Sequence, residues 1–128
     1  MSKKVIFSQM APKPIGPYSQ AVQAGGFLFC SGQVALDPES GQVACADVEG
    51  QTKKVMKNIQ AVLEAANCSF DQVVKTTIFL KSMNDFPKVN EIYGSHFHGS
   101  PPARSTVEVS RLPKDVLVEI EVTAFIGG

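Results

Sequence analysis

Apolar and polar residues change rhythm several times along this chain, and each rhythm predicts an element. Between residues 48 and 66 the apolar side chains fall at Val55, Ile59, Val62, Leu63 and Ala66, spacings that line one face of an α-helix. Asp47 stands where an N-cap belongs, and Asn67 where a helix stops. Residues 73–81 read as a strand whose centre, Thr76-Thr77-Ile78-Phe79-Leu80, is β-branched and aromatic, as in a largely buried strand. Asp85-Phe86-Pro87 opens a second helix, because proline is tolerated in a first turn. Val89, Ile92, Tyr93, His96 and Phe97 would form its apolar face.

Before the first helix the pattern is short and punctuated. Val5 to Phe7 is extended, a loop follows with Pro12, Pro14, Gly16 and Pro17, and Gly25-Gly26 separates two strands as a tight hairpin turn. The second of these strands is expected over Phe27–Val34. Asp37-Pro38-Glu39-Ser40-Gly41 is a further turn; it lacks the spaced ligands and distal glutamate of a calcium loop.

The end of the chain alternates. Leu117, Glu119, Glu121, Thr123 and Phe125 share one face of the last strand, and Val118, Ile120, Val122, Ala124 and Ile126 share the other. The wholly apolar face should meet the helices. The mixed face is too apolar for water and too polar for a core, which predicts a second subunit over it. A simple hairpin of the last two strands would set Glu108 opposite Glu119, like charges on neighbouring strands, so the last strand is expected elsewhere in the sheet. The sum is an α+β fold, one domain over 1–128, with both helices on one face of a single sheet.

A chain of 128 residues with 44% hydrophobic content suits one core. Twelve basic and twelve acidic residues leave a formal charge of zero, without the basic footprint that nucleic-acid binding needs. The N-terminal residues lack the apolar core of a secretory signal, and no segment is long enough to span a bilayer. Cys30, Cys45 and Cys68 are odd in number and widely spaced, which suggests neither a disulfide framework nor a zinc site. A reducing compartment, most simply the cytoplasm, is the expectation.

Two residues carry most of the candidate chemistry. Arg104 follows the stiff Pro101-Pro102-Ala103 segment, where a guanidinium is well placed to take a planar carboxylate in a fork. Its bland alternative is a salt bridge. Glu119 sits among apolar neighbours, where burial can raise its pKa and make it a general base on water. Glu121, two residues on, has equal claim from periodicity, and an ion pair between subunits is the bland alternative for both. His96 and His98 lack an acidic third ligand and make a poor metal site. Cys30 beside Ser31 is better read as a buried structural thiol than as a nucleophile, and Gly127-Gly128 follows Phe125-Ile126 too closely to resemble a conjugation tail.

Three stretches, Pro102-Ala103-Arg104-Ser105-Thr106-Val107, Leu112-Pro113-Lys114-Asp115 and Val118-Glu119-Ile120-Glu121, together resemble the signature of the Rid family, the reactive-intermediate deaminases also called the YjgF family. Ile15-Gly16-Pro17-Tyr18-Ser19-Gln20-Ala21, Ser31-Gly32-Gln33, Val74-Lys75-Thr76-Thr77 and Val89-Asn90-Glu91-Ile92-Tyr93 extend the resemblance nearly end to end. The resemblance implies a chorismate-mutase-like fold with the final strand inserted mid-sheet, and a homotrimer with three clefts between subunits. It implies hydrolysis of 2-imino acids such as 2-iminobutanoate and 2-iminopropanoate to 2-oxo acids and ammonia, without metal or organic cofactor. Arg104 would then hold the substrate carboxylate and Glu119 would orient or activate water, leaving Glu121 less favoured. Tyr18, Ser31, Gly32 and Asn90 would line the cleft, with main-chain groups near Thr106. Many members carry cysteine where this chain has Thr106, so a thiol mechanism is closed to it. The same resemblance leaves open a non-catalytic, metabolite-binding regulatory trimer that uses the same anion pocket, and, more remotely, a nuclease or translation inhibitor.

Overall fold

In a computed structural model describing residues 2–127, six strands form one mixed sheet in the order β1-β2-β3-β6-β4-β5. The strands are β1 (Lys4–Ile6), β2 (Ala21–Ala24), β3 (Phe27–Cys30), β4 (Val73–Leu80), β5 (Ala103–Glu108) and β6 (Val118–Phe125). Helix α1 (Val48–Ala65) joins β3 to β4, and α2 (Phe86–Gly94) joins β4 to β5. All pairings are antiparallel except β4 with β5, which lie parallel across the α2 crossover.

The last strand lies between β3 and β4, so Glu119 is paired with Phe79 and never meets Glu108. Glu108 instead accepts a hydrogen bond from the Met83 N–H (2.8 Å). Val118, Ile120, Val122 and Ala124 are buried beneath the helices, together with Ile78, Leu80 and Leu28. On the opposite face no element among the described residues covers Glu121 or the aromatic group of Phe27, Phe29 and Phe125.

Helix α1 begins where expected: Asp47 accepts a hydrogen bond from the Gly50 N–H. It ends in a Schellman turn, with Asn67 at φ 55° and the amides of Asn67 and Cys68 bonded back to Glu64 and Leu63. The Gly25-Gly26 hairpin is also found, both glycines taking positive φ (57° and 86°). Two expectations shift. The strand from Phe27 stops at Cys30: the Ser31 N–H still bonds the Gln20 carbonyl in the β2 register, but the pairing with β6 slips by one residue between Phe29–Thr123 and the isolated Gln33–Ile120 bridge. Helix α2 stops at Gly94, so His96 and Phe97 lie beyond it; Phe97 still packs on the core, against Tyr93 and Phe70.

Candidate active site

The interruption of β3 creates the first half of the site. Gln33 and Ile120 exchange backbone hydrogen bonds of 2.8 and 3.1 Å, which brings Gly32 against the side chain of Glu119. A Cβ on Gly32 would lie 2.8 Å from the Glu119 carboxyl carbon, so only glycine leaves the carboxylate its place. Ser31 donates its hydroxyl proton to the Ser19 carbonyl (2.6 Å), and Tyr18 accepts from the Ile15 N–H (3.3 Å). Buried Gln20 holds that proline-rich loop in place: it accepts from the Ser8 N–H and donates to the carbonyls of Ser8 and Pro12. The result is a pocket of about 530 Å³ that gathers Tyr18, Ser31, Gly32 and Glu119, walled by Ile15, Val34, Leu36 and Pro113 with Lys114 at its margin.

Glu119 is half-buried, and no hydrogen-bond donor or cation among the described residues pairs with its carboxylate. Desolvation, with a smaller contribution from the neighbouring charge of Glu121, raises its pKa above the usual glutamate range. Glu121 on the same face is exposed. The difference separates two carboxylates that periodicity left equal.

The second half lies on the other side of the sheet. Arg104 stands beside Thr76 in the β4–β5 ladder, and Thr76 stands beside Val122, both on the helix-covered face. Its Nη1 donates to Asn90 Oδ1 (2.6 Å), and its guanidinium lies over the rings of Phe86 and Tyr93. Thr106 shares this face, but its hydroxyl is enclosed with no hydrogen-bond partner. Backbone groups on the outer edge of β5, which pairs with no further strand among the described residues, are available beside it.

The chain thus carries two separate clusters of candidate residues. Tyr18, Ser31, Gly32 and Glu119 share a pocket opening on the uncovered side, while Arg104 and Asn90 form a cationic corner on the helical side. Sequence reasoning missed Phe86, and took Tyr93 for core alone. The signal was present: Phe86, Asn90 and Tyr93 fall at i, i+4 and i+7, one stripe of α2. The other candidates fall away from both clusters. His96 and His98 border a small polar pocket of about 280 Å³ with Asp71 and Ser69. Cys30 is pushed up to about 12, chiefly by burial, which leaves it a neutral, inert thiol.

Comparison with known proteins shows the family. The model of the family described as endoribonuclease L-PSP matches residues 8–126. A "RutC family protein" of Pyrococcus horikoshii is 57% identical over 96% of this chain and 98% of its own. A 2-iminobutanoate/2-iminopropanoate deaminase of Mus musculus is 50% identical over 98% of this chain and 93% of its own. Among solved structures, a Yersinia pestis protein of the conserved Rid family superposes with a TM-score of 0.94 at 51% identity, covering 98% of this chain and all of that one. With family model, relatives and topology in accord, the chain belongs to the Rid (YjgF) family.

Proposed function

We propose that the protein hydrolyses 2-imino acids such as 2-iminobutanoate and 2-iminopropanoate to 2-oxo acids and ammonia, in clefts shared by neighbouring copies of the chain. The observation that carries this reading is the separation of Arg104 and Glu119 onto opposite faces of one sheet. A site that uses both must draw one from each of two copies, and a trimer closed about the uncovered faces would form three such clefts.

In that cleft the forked edge of Arg104 takes the substrate carboxylate. Glu119, ionised but poised by partial burial, accepts a proton from water as its oxygen attacks the C=N carbon. That proton passes to nitrogen to give the carbinolamine; the regenerated carboxylate then takes the adduct's hydroxyl proton and delivers it to nitrogen as the C=O forms and the C–N bond breaks, so ammonia leaves and Glu119 is again ionised. An imine is already electrophilic, so positioning and a base suffice. General-base assistance of this kind contributes about 10² to 10⁴ in rate. The ribonuclease named in the family model's description finds less support: a chain with zero formal charge has no excess of cations to follow a phosphate backbone.

Complementation tests the shared cleft. Arg104→Ala and Glu119→Gln should each lose most acceleration of 2-iminobutanoate decay, generated in situ by a threonine dehydratase. Unfolded together and refolded as a mixture, the two should recover roughly one quarter of wild-type activity, since a cleft is intact only when each neighbour supplies its unmutated half. No recovery from a well-folded mixture would reject the shared cleft. A folded wild type that leaves the imine's lifetime unchanged would reject catalysis and leave metabolite binding.

A further inference from the structure

Arg104 has a long, flexible side chain on an exposed edge strand, yet its surroundings confine it on three sides. Asn90 takes Nη1 at 2.6 Å, and the guanidinium carbon stands 5.2 Å from the centroid of Phe86 and 5.1 Å from that of Tyr93. All three contacts come from the one stripe of α2 described above. Tyr93 is itself fixed: its hydroxyl lies 2.7 Å from Thr76 Oγ1, and both residues are buried. Thr76 is also the residue beside Arg104 in the strand ladder. The strand next to the arginine therefore also fixes the ring against which the arginine lies.

This arrangement divides the guanidinium's surface. The two rings of Phe86 and Tyr93 contact the cation through their faces, where their quadrupoles attract positive charge. Asn90 occupies one end of the fork. The Nε–Nη2 edge makes no hydrogen bond among the described residues, and that edge has the two parallel N–H groups a carboxylate needs.

We propose that Phe86, and Tyr93 anchored by Thr76, are positioning residues that hold the Arg104 guanidinium so that its Nε–Nη2 edge meets a 2-imino acid carboxylate. For its substrate the proposal rests on the imine reading; for its physics it needs only a bound carboxylate, which allows the two to be tested apart. A residue acting through Arg104 changes substrate capture more than turnover, and changes nothing once Arg104 is gone.

Phe86→Leu and Tyr93→Leu each remove one ring. KM for 2-iminobutanoate, and Kd for the product 2-oxobutanoate measured by calorimetry, should rise roughly 2- to 5-fold in each, the effect of one cation–π contact. The value of kcat should stay near wild type. In an Arg104→Ala background neither substitution should add a further loss, and Phe86→Tyr should behave as wild type. Tyr93→Phe keeps the ring and removes only the Thr76 bond, so it should fall between wild type and Tyr93→Leu. Unchanged KM and Kd, or the same increase without Arg104, would overturn the clamp while leaving imine hydrolysis intact. A wild type that spares the imine but binds 2-oxobutanoate, more weakly in the leucine variants, would overturn the reaction and keep the clamp. Failure to bind or react at all would overturn both. If Tyr93→Leu does not fold, Phe86→Leu decides, because its ring is only partly buried.

Discussion

Glu119 and Gly32 form a unit whose two members respond oppositely to substitution. The clash that a Gly32→Ala methyl would create is with the far end of a flexible side chain, not with backbone, so the carboxylate moves and the fold stays. Gly32→Ala is therefore expected to unfold within about 1 kcal/mol of wild type, yet to lose on the order of 10²-fold in kcat/KM, approaching Glu119→Gln. Steady-state kinetics beside urea denaturation checks both. Stability should move the other way in Glu119→Gln. Because burial raises the folded-state pKa above the ordinary value of 4.5, the protonated carboxyl is well tolerated below that value. The ionised form then penalises the fold progressively as pH climbs through the raised pKa. The glutamine variant should match wild type at about pH 4 and exceed it in denaturation midpoint at about pH 8. Wild-type activity should rise over the same interval as the base ionises. A variant less stable than wild type at every pH would mean that Glu119 has a stabilising partner.

Elements carry the site through polar groups in the core. Asn58 is fully buried on α1, and its Nδ2 donates to the carbonyls of Val34 and Leu36, 3.1 Å from each. Those two residues form part of the apolar wall of the Glu119 pocket, so a helix helps fix the shape of a loop whose own backbone bonds are few, an isolated bridge of Leu36 to Val43 among them. Asn58→Ala would leave the Leu36 carbonyl unpaired in the interior, while the Val34 carbonyl keeps the Leu36 N–H (2.8 Å), and a loss of about 1 to 3 kcal/mol is expected, read as a lower urea midpoint with KM raised more than kcat is lowered. This layer was largely invisible in the sequence. Periodicity located both helices within a residue or two at their starts, because Asp47 and Pro87 mark them locally. The doubt over a Glu108–Glu119 pairing pointed correctly to a last strand placed elsewhere. Nothing local, however, announces that Asn58 in an apolar stripe bonds residues 22 and 24 positions away. The extended reading of residues 31–34 failed for the same reason: Gln33 belongs to the sheet through Ile120, a partner distant in the chain.

At the scale of the whole molecule, alternation along β6 forecast one apolar and one mixed face, and the aromatic residues of the mixed face are open in the single chain. That Arg104 and Glu119 lie on opposite sides was not legible along the chain, since it depends on the parity of the β4–β5 and β4–β6 registers rather than on any spacing. Phe27, Phe29 and Phe125 are 38%, 50% and 49% exposed and touch one another, with ring centroids 6.2 and 5.3 Å apart. Contiguous exposed apolar patches are surfaces where proteins meet other proteins, membranes or ligands. Under the shared-cleft proposal this patch is the seam that brings one copy's arginine corner to the next copy's carboxylate pocket. Phe29→Glu separates assembly from folding. In an isolated chain the position is half exposed, and a surface substitution there should change stability by no more than about 0.5 kcal/mol. In an assembled seam it would bury an unpaired charge, for which about 3 to 5 kcal/mol is the scale of the penalty. Sedimentation should therefore find wild type at three times the 13.7 kDa chain mass, and Phe29→Glu at one chain mass with an unchanged far-ultraviolet circular dichroism spectrum. Activity should vanish with the assembly although Arg104, Asn90, Glu119 and Gly32 are all intact. A Phe29→Glu chain that stays assembled would place the seam elsewhere, and a monomer that remains active would show that a single copy completes the site.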